Sequence, residues 1–112
     1  MILPRSTIDT LSHYARRRLD LLQRGSFSDA MATQAAALMM ALGEVARGQA
    51  EGSDDLSEAS VTTLIVACRS ERSALNGLAM TDTEELAAEW SAQVREIDAA
   101  LSVVAETLKE AA

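Results

Sequence analysis

Trp90-Ser-Ala-Gln-Val94-Arg-Glu-Ile97-Asp-Ala-Ala-Leu101-Ser-Val-Val104-Ala-Glu-Thr-Leu108 sets its large apolar residues at spacings of 4, 3, 4, 3 and 4. Those spacings bring one side chain after another to the same face of an α-helix. Sustained over more than two heptads, they make a seam of the coiled-coil type. Leu86 extends the stripe one step upstream, and the whole pattern predicts a helix from about Asp82 to Glu110. At about 1.5 Å per residue that helix is roughly 43 Å long.

The same periodicity recurs three times upstream. Ile8, Leu11, Ala15, Leu19 and Leu22, widened by Tyr14 and Leu21, mark a helix from about Thr7 to Arg24. Ser6 with Asp9 is read as its capping box, and Gly25 stands just past its end. Ser26, with Asp29 three residues on, is read as the cap of a second helix. Its apolar side holds Phe27, Met31, Leu38, Leu42 and Val45. A second side is made of Ala32, Ala36 and Gly43, small enough for a neighbouring backbone to come close. Gly48-Gln-Ala-Glu-Gly-Ser-Asp-Asp55 is the clearest loop, and Asp55 with Glu58 is read as the cap of a third helix. Val61, Leu64, Cys68, Leu75 and Leu78 line that helix, with Glu71 and Arg72 at the edge of the stripe. Asn76-Gly77 and the acidic start signal Thr81-Asp-Thr-Glu-Glu85 place the last break between Asn76 and Asp82.

Composition agrees with helices. The three aromatic residues, Tyr14, Phe27 and Trp90, leave an aliphatic core, which suits helix packing better than a sheet. Alanine, the best helix former, is the commonest residue, and the only proline, Pro4, precedes the first helical pattern. Short joins fold successive helices into antiparallel hairpins. The fold read from the sequence is one all-α domain over residues 1–112: an antiparallel bundle of about four helices, two helical hairpins with a long C-terminal helix.

Several function classes are disfavoured. The net charge is −7, distributed as +3 over residues 1–25 and −10 over the rest, and an acidic body repels nucleic acid. Arg16-Arg17-Arg18 is the one basic cluster, read as a solvated face touching acidic neighbours within the fold. No apolar run reaches the length of a membrane span. A single cysteine and no signal-like start suggest the cytoplasm. Arginine in place of lysine, with so much alanine, hints at a GC-rich bacterial genome.

One histidine and one cysteine, with no glycine-rich phosphate loop, give no convergent catalytic, metal or cofactor site. The reading is therefore a non-enzyme without a cofactor. Cys68 lies in an apolar stripe and reads as a small hydrophobe. His13 is the only candidate for chemistry, as the phosphoryl acceptor of a signalling bundle. Arg16, three residues on, stands where such domains usually carry lysine, but the glycine that makes room for the imidazole is missing.

Two stretches resemble the flagellar type III export chaperones of the FlgN and FliT kind. Leu21-Leu22-Gln-Arg-Gly25-Ser-Phe27 is similar to the join between their first two helices. Arg69-Ser-Glu-Arg-Ser-Ala-Leu-Asn-Gly-Leu-Ala79 is similar to a stretch late in a long FlgN helix, whereas Thr81-Asp-Thr-Glu-Glu85 departs from that pattern. The resemblance implies a chaperone that binds the amphipathic C-terminal helix of a hook-associated or filament-cap protein. Trp90, Val94, Ile97, Leu101, Val104 and Leu108 are the expected partner-binding residues. Either the second and third helices cover this seam, or a partner's helix or a homodimer does. A structural homo-oligomer, such as a small phage or assembly protein, would use the same seam on itself.

Overall fold

Four helices account for nearly all of the chain: α1 (Arg5–Arg24), α2 (Asp29–Glu51), α3 (Glu58–Thr81) and α4 (Glu84–Ala111). They are seen in a computed structural model that describes residues 1–25 and 28–111. Each connection is short enough to turn the next helix back beside the last. The result is an all-α four-helix bundle. The described residues contain no strand, only an isolated antiparallel bridge between Ile2 and Asp55.

The bundle is flattened. α1 and α3 touch one another and both outer helices, whereas α2 and α4 have no contact with each other. The two central helices accordingly hold most of the fully enclosed side chains, including Leu11, Tyr14, Leu64, Cys68 and Leu75. The outer helices bury one face each: Leu38, Ala41 and Val45 on α2, and Ile97, Ala100 and Val104 on α4. Leu3 and Leu56, from outside the helices, are also buried. The Leu3 N–H donates to the Asp54 carbonyl and the Leu56 N–H to that of Met1.

The caps differ from those read in the sequence. α1 begins after Pro4, whose carbonyl takes the Thr7 and Ile8 N–H groups, and no side chain caps it. Ser6 lies inside the first turn, and Asp9 accepts instead from Gln49. Ser28 caps α2 by accepting from the Met31 N–H. Ser26 and Phe27 lie outside the described residues. α2 runs to Glu51, so half of the expected loop is helix. It closes in a Schellman turn: Gly52 N–H to the Gln49 carbonyl and Ser53 N–H to that of Gly48. Both glycines serve this turn. Gly52 has φ of +72°, and a Cβ on Gly48 would stand 2.8 Å from the Ser53 carbonyl oxygen.

Ser57, not Asp55, caps α3, accepting from the Ser60 N–H. The reciprocal half of the cap comes from another helix. Glu44 of α2 accepts from the Ser57 N–H at 2.7 Å, from the Ser57 hydroxyl at 2.8 Å and from the Ser60 hydroxyl. This reproduces a capping box, with the acid supplied across the interface. The hydrogen bond from Ser60, then those from Ser57, hold the Glu44 carboxyl below its ordinary value of 4.5. A depressed folded value means stability that is present above the unfolded value and lost as the pH falls through the folded one. Glu44→Ala should lower the melting temperature at neutral pH, with a cost of about 1 kcal/mol as for other caps. The difference from the native chain should shrink below about pH 4. Equal melting at pH 7 would show that the cross-helix cap contributes nothing.

α3 passes through Asn76-Gly77 without breaking and ends only at Asp82, whose N–H donates to the Leu78 carbonyl. A glycine inside a helix costs only about 1 kcal/mol against alanine. Asp82 also accepts from the Trp90 indole N–H at 2.9 Å, which clamps the α3–α4 corner.

Candidate protein-binding surface

The seam of α4 is largely the bundle's own core. Ile97 and Val104 are fully buried, and Val94 is nearly so. Trp90 and Leu101 are half-buried and packed against the core, and only Leu108 is substantially exposed. As an open contact face the seam is thereby corrected. α1 and α3 cover it, and α2, expected to share the task, lies on the far side. At 24 residues against 28, α3 is nearly as long as α4, so only the last turns of α4 outrun it.

Other assignments shift for the same reason. Leu21 and Leu78, read as inner-face residues, are exposed, and Glu71, read as an edge residue, is buried. Arg17 reaches inward to it, with Nε 3.9 Å from Oε2. The same guanidinium donates to Gln93 Oε1 and lies 5.5 Å from the Tyr14 ring centre. Tyr14 donates to Glu96 at 2.9 Å, and burial followed by that bond pushes its hydroxyl pKa upward. Arg72, at the edge as expected, pairs with both oxygens of Asp98, which drops below the usual carboxylate range because of those bonds. Of the basic cluster, therefore, Arg17 is engaged inside the fold. Arg16 is exposed, and Arg18 reaches the α2–α3 side.

An uncovered apolar surface lies on α2, and other large apolar side chains are exposed on α1, α3 and α4, among them Leu21, Met80 and Leu86. From Ala30 to Gly43 the helix carries no charged residue, about four turns of it. One side of this stretch packs inward through Ala35, Leu38, Ala41 and Leu42. The opposite side faces solvent with Ala32, Ala36, Met39 and Met40, the last of these 75% exposed. A helix apolar all round is ordinarily enclosed. Among the described residues no further helix meets the far side of α2.

Beside this face runs a groove between α2 and α3, formed by two adjoining hollows of about 390 and 170 Å³ that share Ala37 and Thr63. Its floor and walls are mostly small: Ala37, Ala41, Gly43, Ala59 and Ser60 in the larger hollow, Ala67 and Ser70 in the smaller. Met39 and Met40 border the first and Val66, itself 54% exposed, the second. Ala32, Ala36 and Gly43 were the signal in the sequence. Among the described residues no neighbouring backbone comes close to them: Ala32 and Ala36 are exposed, and a Cβ on Gly43 would meet only the Arg47 side chain.

Chemistry is sparse elsewhere. The Cys68 thiol donates to the Leu11 carbonyl at 3.5 Å. Burial, with a smaller effect of Glu71, pushes it up to about 12, so it stays protonated and packs as a small apolar group. His13 is exposed on α1, its ring edge-on to Tyr14. Arg16, three residues on, is exposed as well, and Arg17, which stands where phosphoryl-accepting bundles carry the glycine, donates to Gln93. Among the described residues no helix is long and apolar enough to cross a membrane. Comparison with protein-family models, curated proteins and solved structures returns no match to this chain.

Proposed function

We propose that this protein is a non-catalytic helical module that binds an amphipathic helix of a partner protein along the α2–α3 groove. The observation that carries this is the solvent-facing, charge-free side of α2 with Met39 and Met40 beside a groove of small residues. Methionine side chains adapt to varied apolar shapes, which suits a surface that receives a helix. The resemblance to flagellar export chaperones supplies the partner class: the C-terminal helix of a hook-associated or filament-cap protein, held in the cytoplasm before export.

The test is calorimetric binding of C-terminal helical peptides from bacterial hook-associated and filament-cap proteins. One of them should bind. Met40→Glu should weaken that binding at least tenfold, about 1.4 kcal/mol, with the melting temperature unchanged because the side chain is already in water. Failure of every such peptide would refute the export-chaperone reading. Binding that survives Met40→Glu would move the site off α2.

A further inference from the structure

The α2–α3 groove is charged at only three lining positions, and they are not equivalent. Glu44 is committed to the start of α3, with both oxygens hydrogen-bonded to Ser57 or Ser60. Arg47 lies in the same hollow and folds back over Gly43, its guanidinium 3.8 Å from where a Cβ would stand. Arg18 lines the other hollow beside Gln34. Among the described residues neither arginine makes an ion pair, although Arg47 adds to the field that holds Glu44 ionised. On a chain of net charge −7, the groove thus carries a cation without a salt bridge at either end, Arg47 in the same hollow as the Glu44 carboxylate that Ser57 and Ser60 hold, and the rest of its lining is uncharged.

Resting on the helix-binding reading above, we infer that the occupant is an acidic amphipathic helix of a different protein. Its uncharged apolar stripe is bounded at both ends by carboxylates that meet Arg18 and Arg47. From Gln34 to Arg47 the groove follows α2 for roughly 20 Å, so the two acidic positions lie about 14 residues apart. A second copy of this chain fits poorly. In two-fold pairing through this groove, antiparallel α2 helices would set Arg47 over the other copy's Arg18, and parallel ones would set Arg47 over Arg47. Either arrangement opposes like charges, which disfavours the pairing.

Two designed helical peptides test this, with an identical leucine-alanine stripe and either glutamates or lysines at both ends of it. Each is titrated into the isotopically labelled full chain to millimolar concentration at low salt, with amide shifts followed by NMR. The acidic peptide should move amides of the α2–α3 groove and bind at least tenfold more tightly than the basic one, the difference shrinking as salt screens it. The double variant Arg18→Glu, Arg47→Glu should reverse the preference, and Met40→Glu should weaken both. Equal binding of the two peptides at the groove would overturn the charge assignment and leave the helix-binding reading standing. Neither peptide reaching the groove would overturn both. Concentration-dependent dimerisation that shifts the same amides without peptide would replace the partner with a second copy.

Discussion

Ile97→Glu should abolish the cooperative thermal unfolding of this protein, while Leu108→Glu leaves it nearly unchanged. Ile97 is wholly buried on the inner face of α4, and Leu108 is 46% exposed. A carboxylate at position 97 would be drawn out of water into an aliphatic core. Burying such a charge costs several kcal/mol, a large part of the 5–15 kcal/mol typical of a whole domain. The milder Ile97→Ala, which only opens a cavity, should cost about 2–5 kcal/mol. Substitution at an exposed position such as 108 usually stays within about 0.5 kcal/mol. Calorimetric melts of the three variants decide the matter. A native-like transition for Ile97→Glu would mean that α4 is not part of the core. Loss of partner binding in Leu108→Glu, with stability intact, would restore the end of α4 as an interface.

The second large effect concerns Arg17 and Glu71. Glu71 is 6% exposed in the middle of the α1–α3 contact, and Arg17 is the cation beside it. Arg17→Leu should destabilise the fold by about 1–2 kcal/mol, because it leaves the buried Glu71 without its nearest cation, an effect reduced by the solvent that reaches the 37% exposed Arg17. Arg17 also holds Gln93 and covers Tyr14, so part of that loss is packing. Glu71→Leu in the same background removes the stranded carboxyl and should recover much of the stability. Denaturant unfolding of the single and double variants measures the coupling. A double variant no more stable than Arg17→Leu would show that Glu71 does not depend on its arginine.

The apolar spacings made the four helices legible, because a helix that buries one face must repeat its large residues every three or four positions. They also marked Ile8, Leu11, Leu64 and Cys68 as inner-face residues, and all four are buried, whereas Ile97 and Val104, read as partner-binding, are core. Less legible were the ends. Ser28 and Ser57 cap α2 and α3, where Ser26 and Asp55 had equally suitable side chains. A cap is chosen by where the chain turns, and tertiary packing sets that. Glu44 capping α3 across an interface leaves no local trace, since its partners are 13 and 16 residues away. Leu3 gave no periodic signal either, being outside every helix.

The sequence by itself determined that the chain forms four amphipathic helices, that its core is aliphatic, and which helix is longest. Periodicity and propensity are local properties, and they are written residue by residue. Only the tertiary structure decided which faces remain open. The α4 stripe read as a surface in need of a neighbour, and the small side of α2, Ala32, Ala36 and Gly43, as one that a neighbour could approach. α4 found α1 and α3, and α2 turned its second side outward. That difference follows from the flattened arrangement, in which α1 and α3 meet in the centre and keep α2 and α4 apart. A helix's spacing states that it needs a partner, but which helix stands within reach is fixed by how all four pack together.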